Sequence, residues 1–141
     1  MSELEEMMSA NVVTITEETT IPEAIALLVK HNITGLPVVD KTMKLIGIIS
    51  EKDILKIAYS FQTKKYDSSN PANTIQSVMS TDIVSFDIND RISDICKCLM
   101  ESEFRRVPIL KDGRVVGIVS RKDLLEILPV TTTSDTMCRR V

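Results

Sequence analysis

The stretch GIISEKDIL at residues 47–55 returns as GIVSRKDLL at residues 117–125. Each copy runs glycine, two β-branched residues, serine, two charged residues, aspartate and two aliphatics. β-Branched pairs suit a strand. Ser-x-x-Asp before an apolar run suits a helix start. A second reading is a ligand anchor. A carboxylate offers two acceptor oxygens and no donor. That matches the two neighbouring hydroxyls of a ribose, the same logic that places an acid on the ribose in dinucleotide folds. A reciprocal capping box favours Glu or Gln, whose longer side chain reaches back to the cap amide. Aspartate is expected to be short for that reach. On Ser50, Asp53, Ser120 and Asp123 alone both readings stay open.

Working outward, the repetition extends over most of the chain. MSANVVTI at residues 8–15 resembles MSTDIVSF at residues 79–86, an offset of 71 that also carries Pro37 onto Pro108. Gly47 falls on Gly117 at an offset of 70, so one residue is lost between them. The loss lies in a turn, where VVDKTMKLIG becomes ILKDGRVVG. A one-residue change in a hairpin loop is well tolerated. The chain is a tandem repeat.

Each copy has the same coarse pattern. NVVTI and DIVSF are short β-rich runs. Residues 20–31 place Ile21, Ala24, Ile25 and Leu28 at helical spacing, with Pro22 acceptable in the first turn. Residues 91–102 do the same with Ile92, Ile95, Cys96 and Leu99. LPVV and VPIL, then KLIGIIS and RVVGIVS, read as strands, with Asp112-Gly113 a turn signal between the second pair. Residues 51–59 and 121–128 read as closing helices, the second stopped by Pro129. The expected fold is α/β of the α+β kind: two β-α-β-β-α units packed about a pseudo-twofold axis. The expected boundaries are 7–60 for the first unit, 61–74 for a polar linker, 75–129 for the second unit and 130–141 for a mobile tail. Segments 2–8 and 74–79 are expected to lead into the units as short helices.

Composition narrows the function classes. The chain has 141 residues, 43% hydrophobic and 26% charged, which reads as soluble and globular. Tryptophan is absent, so the core must be aliphatic. A formal charge of −3 argues against nucleic acid, where a clustered basic surface is expected. No apolar run approaches the ~18 residues of a membrane span, and the acidic N-terminus is unlike a signal peptide. Three cysteines, Cys96, Cys98 and Cys138, lack framework spacing and read as reduced thiols in a cytoplasmic protein. One histidine, His31, leaves too few ligands for a zinc site; at a helix end it reads as solvent-facing, complementing the dipole. The chain has no G-x-S-x-G elbow, H-E-x-x-H, Walker loop or G-x-G-x-x-G. An enzyme is not expected.

Paired β-α-β-β-α units carrying GLPVVD with GIIS-x-x-D, then RVPIL with GIVS-x-x-D, resemble tandem cystathionine-β-synthase (CBS) domains, the Bateman module. The resemblance covers residues 7 to 128. It implies clefts between the units that bind adenine-containing ligands: AMP, ADP or ATP, alternatively S-adenosylmethionine or NAD, with no cofactor required. One cleft would combine Ile118, Ser120, Asp123, Arg106 and, secondarily, Arg105 with Val13, Ile33 and Thr34. The other would combine Gly35, Ile48, Ser50 and Asp53 with Val84, Phe104 and Arg105. Adenine would lie between aliphatics and be read by main-chain groups of the first strand. Arg106 would contact phosphate, whereas Gly35, its counterpart, has no charge to offer; the Asp123 cleft is therefore expected to be the stronger. Lys52 and Lys122 recur beside the aspartates and read first as exposed helix residues. The resemblance further implies a homodimer through the helices and a regulated target on a separate chain. The remaining alternative is a purely structural interaction module with empty clefts.

Overall fold

The computed structural model describes residues 3–62 and 74–127. Most of the expected linker at 61–74 lies outside the described residues, as do Pro129, Cys138 and the expected tail at 130–141. In the first unit, α2 (Ile21–His31) begins at Thr20 in a capping box. The Glu23 amide donates to Thr20 Oγ1 at 3.2 Å and the Thr20 amide donates to Glu23 Oε1 at 3.3 Å. The helix ends at Asn32, left-handed at φ 50°, a conformation asparagine tolerates. Its spacing buries Ile21, Ala24 and Leu28 on one face. Strands β1 (Gly35–Val39) and β2 (Leu45–Ser50) form an antiparallel hairpin, and α3 (Glu51–Gln62) follows at once. In the second unit the order is β3 (Phe86–Asp87), α5 (Ile92–Glu101), β4 (Arg106–Lys111), β5 (Arg114–Ser120) and α6 (Arg121–Ile127). There β3 lies parallel to β4 and β4 antiparallel to β5. The mixed helices and small sheets make an α+β fold, and each unit has its own aliphatic core.

The first strand of each unit is shorter than the sequence pattern suggests. Of NVVTI only Ile15 pairs, with Val38; of DIVSF only Phe86 lies in a strand, running on to Asp87. The physical reason is a crossing of the chain between the units. Ser9 pairs with Ile118 of the second unit through two main-chain bonds of 3.0 Å. Ser80 pairs with Ile48 of the first unit through bonds of 2.8 and 2.9 Å. Residues 10–14 and 81–85 bridge from one unit to the other, and their backbone makes no main-chain hydrogen bond with any described residue.

The leading helices complete this exchange. Helix α1 (Glu3–Met7) buries Leu4 in the core of the second unit, while α4 (Ile75–Val78) buries Ile75 in the core of the first. Two glycines make the close approach possible. A Cβ at Gly117 would stand 2.8 Å from Met8 Cγ, and one at Gly47 would stand 2.9 Å from Met79 Cγ; each would also collide with the sulfur. The hairpin turns meet as well: the Val115 amide donates to the Met43 carbonyl at 2.9 Å, and the Leu45 amide to the Gly113 carbonyl at 3.2 Å. Both units therefore bury leading segments that belong, in sequence, to the other.

Candidate functional site: two abutting cavities

The GIIS-x-x-D and GIVS-x-x-D segments each place a serine at the end of a strand and an aspartate in the first helical turn. Contrary to the expectation about reach, both aspartates close a reciprocal cap. The Ser50 amide donates to Asp53 Oδ2 at 3.0 Å while the Asp53 amide donates to Ser50 Oγ at 3.2 Å. The Ser120 amide donates to Asp123 Oδ2 at 2.9 Å while the Asp123 amide donates to Ser120 Oγ at 3.1 Å. The carboxylate reaches because the strand runs into the helix without an intervening loop, which brings the cap amide within range of the shorter side chain.

Capping does not exhaust either group. Each aspartate uses only Oδ2, so Oδ1 accepts no hydrogen bond from the described residues. The serines differ. The Ser50 hydroxyl also donates to Asp53 Oδ2 at 3.0 Å. The Ser120 hydroxyl accepts but donates to no described residue. A donor and an acceptor remain unspent at Ser120 and Asp123.

One cavity, of about 290 Å³, opens over this pair. Of the residues expected there, Val13, Ile33, Arg106, Ile118, Ser120 and Asp123 line it. Ser9, Asn11, His31 and Gly35 line it too. His31 ends α2 on the surface, as a dipole-complementing residue would, but it also borders this cavity. Thr34 and Arg105, expected here, line the neighbouring cavity instead. Their neighbours Ile33 and Arg106 do line the Asp123 cavity, and successive side chains in extended chain alternate in direction.

The second cavity, of about 390 Å³, lies where the equivalent prolines Pro37 and Pro108 and the equivalent isoleucines Ile48 and Ile118 meet. Gly35, Ile48, Ser50, Phe104 and Arg105 line it as expected, joined by Arg106. Val84 and Asp53 do not line it. Asp53 is held by both the amide and the hydroxyl of Ser50, and the cavity meets the first turn of α3 at Glu51 and Lys52 rather than at Asp53. Lys52 lines this cavity with Glu51 and Glu103; Lys122 lines neither.

Arg106 connects the two. It lines both cavities, and its Nε is buried without a hydrogen-bond partner. A buried unpaired donor on a charged group is costly. No described carboxylate satisfies it. Arg121, by contrast, is committed to structure: its Nε donates to the Leu99 carbonyl at 3.1 Å and a terminal nitrogen to the Ser102 carbonyl at 2.7 Å, tying α6 to the end of α5. Among the described residues no group of three or more His, Cys, Asp and Glu is placed to hold a metal ion, and Cys96 and Cys98 are free. No described helix is long and apolar enough to cross a membrane.

Sequence reasoning missed Ser9, Asn11 and His31. The offset placed Ser9 opposite Ser80, but nothing local in the sequence says that either pairs with the other unit. His31 was read from its helix alone.

Comparison with known proteins supports the same architecture. The chain is 32% identical over 124 residues to the CBS domain-containing protein YhcV of Bacillus subtilis, covering 88% of this chain and 84% of that one. Other relatives are longer: the chain spans 41% of the length of one and 55% of another. Among solved structures, the CBS domain pair of protein MJ0100, in complex with 5′-methylthioadenosine and S-adenosyl-L-methionine, superposes with a TM-score of 0.70 at 28% identity, covering 89% of this chain and 94% of that one. CBSX2 in complex with AMP superposes with a TM-score of 0.74 at 25% identity, covering 87% and 92%. Residues 4–60 and 75–130 each match the CBS domain family, and the chain belongs to that family as a tandem CBS pair.

Proposed function

We propose that the chain is a regulatory module that binds an adenine nucleotide of the AMP, ADP and ATP class in the cavity over Asp123 and catalyses no reaction of its own. The observation that carries this is the meeting, in one cavity, of three groups with unspent hydrogen-bonding capacity: Asp123 Oδ1, the Ser120 hydroxyl and the half-buried Arg106 guanidinium, whose Nε has no partner. They suit ribose hydroxyls, a further oxygen and a phosphate respectively. Val13, Ile33 and Ile118 supply aliphatic walls for a purine. The unpaired backbone of residues 10–14 supplies donors and acceptors for its edge. The volume of about 290 Å³ is near the lower end of the roughly 300–1,000 Å³ common to ligand sites. The AMP held by CBSX2 supports a nucleotide; the two adenosyl compounds held by the MJ0100 pair support S-adenosylmethionine as the second choice.

The reading extends to partners. Val29, Leu55, Met100 and Leu125 are 76%, 64%, 75% and 65% exposed, and they form two pseudo-equivalent pairs on α2, α3, α5 and α6. Apolar residues exposed on paired helices suit a homodimer, and a regulated protein would read the ligand state.

Isothermal titration with AMP, ADP, ATP, S-adenosylmethionine and NAD tests the proposal. AMP binds the parent. Asp123→Ala weakens it more than about tenfold, because one lost hydrogen bond to a charged group costs roughly 1.5–3 kcal/mol. Asp53→Ala leaves the tighter step within about threefold. Equal binding by Asp123→Ala and parent would falsify the assignment.

A further inference from the structure

The two cavities are not separate compartments. They share Gly35, Arg106 and Ile118 as common wall. Charge makes Arg106 the decisive member of that wall. The cavity beside the axis has Lys52 and Arg105 against Glu51 and Glu103, so those four cancel and Arg106 is the cation in excess. In the cavity over Asp123, Arg106 faces that single carboxylate as the one lysine or arginine in the lining. Removing Arg106 leaves the first lining formally neutral and the second formally negative. Neither would then attract a phosphate. The guanidinium Nε hydrogen-bonds to no described group, and the side chain borders both cavities.

We propose that Arg106 is a single phosphate anchor shared by both cavities, so that a phosphate-bearing nucleotide bound in one weakens the binding of a second in the other. This rests on the reading of the Asp123 cavity as an adenosine-type site. A guanidinium oriented on one phosphate is withdrawn from the other, and two phosphates drawn to one cation repel each other across a shared wall. The coupling is reciprocal, as linkage requires. A ligand that lacks phosphate makes no demand on Arg106 and fills both cavities without interference. The repeat thus holds two sites and one anchor, because the counterpart of Arg106 is Gly35.

Titration calorimetry of the full chain with AMP and, separately, adenosine tests this. Expected for the parent is one tight AMP per chain with any second step at least tenfold weaker, against two adenosines whose steps lie closer together, separated only by the unequal hydrogen-bonding capacity of the two cavities. Arg106→Ala lowers AMP affinity to within about threefold of adenosine and narrows the gap between the AMP steps to that between the adenosine steps. Arg106→Lys keeps the charge and restores part of the AMP preference. Adenosine binding by Arg106→Ala reports that the variant is folded. Two AMP steps of equal affinity in the parent overturn the proposal, as does unchanged AMP affinity in Arg106→Ala. One adenosine per chain overturns it too, since a single site has nothing to share. No binding of AMP or adenosine overturns the nucleotide reading itself and is distinct from all of these.

Discussion

Replacing Gly117 by alanine tests whether the exchange of leading segments holds the two units together. The added Cβ would stand 2.8 Å from Met8 Cγ and 3.0 Å from Met8 Cε, and it would overlap the sulfur. Carbon atoms rest about 3.5–4.0 Å apart, so the methionine must retreat by roughly 1 Å. Met8 is not free to retreat alone. The next residue, Ser9, is tied to Ile118 by two bonds of 3.0 Å, and Leu4 of the same segment is buried in the second core. Overpacking of this kind costs about 1–3 kcal/mol. Methionine is adaptable, which favours the lower half of that range. For a chain of this size each kcal/mol moves the melting temperature by roughly 2–8 °C. Urea titration followed by circular dichroism measures the loss as a lower midpoint at unchanged slope. The decisive step is a double-mutant cycle with Met8→Ala, which opens the space and recovers part of the loss, a coupling of about 0.5 kcal/mol or more. Strict additivity of the two substitutions would refute the packing argument. So would a Gly117→Ala variant as stable as the parent.

Two further predictions are local. Thr20→Ala removes the hydroxyl that accepts from the Glu23 amide at 3.2 Å and should lower stability by about 0.5–2 kcal/mol, with nucleotide affinity unchanged; a loss below about 0.3 kcal/mol by urea titration would count against the cap. The Asp40 carboxyl is held below its ordinary value, first by the Thr42 hydroxyl and then by the Lys44 and Thr42 amides. Because the folded value is the lower one, the turn keeps this contribution above the ordinary carboxylate range and loses it as pH falls through the depressed value. Carbon-detected NMR should show Asp40 titrating below the ordinary carboxylate value and moving back towards it in Thr42→Ala; an Asp40 unmoved by that substitution would remove the assigned cause.

The repeat and most of the elements were legible because they depend on local spacing. Ile21, Ala24 and Leu28 mark a buried helix face without reference to anything distant. The pairing of Pro37 with Ile48 and of Pro108 with Ile118 follows from two copies of one hairpin. Ser120 and Asp123 were legible because their motif recurs, whereas Val13, Ile33 and Arg106 were expected at the Asp123 cavity through the resemblance to CBS pairs. What stayed hidden depends on distant geometry. Nothing in MSANVVTI tells that Ser9 bonds across to Ile118, so the first strand was read as longer than it is. Thr34, expected at the Asp123 cavity, lines its neighbour, and Arg105, expected at both, lines only the neighbour, because extended chain turns successive side chains in opposite directions and a motif gives the position but not the facing. The reach of Asp53 and Asp123 was misjudged by comparing side-chain lengths, when the direct passage from strand to helix sets the distance.

The exchange also explains why a symmetric repeat produces two unequal cavities. Each cavity takes walls from both units, so a single difference between the copies is felt on both sides of the axis. Gly35 and Arg106 are equivalent in the repeat, yet each lines both cavities. Substituting one of them alters the pair, not one member. At the serines the inequality is of another kind. Ser50 donates its hydroxyl to Asp53, and Ser120 keeps its donor unspent. The first difference sets the charge of both cavities, and the second sets hydrogen-bonding capacity and singles out the cavity over Asp123. On the proposed nucleotide reading, a module with one strong and one weak site would answer ligand over a wider concentration range than a module with two equal ones. That behaviour requires no departure from the shared fold, only the residues at 35 and 106 and the donor left free at 120.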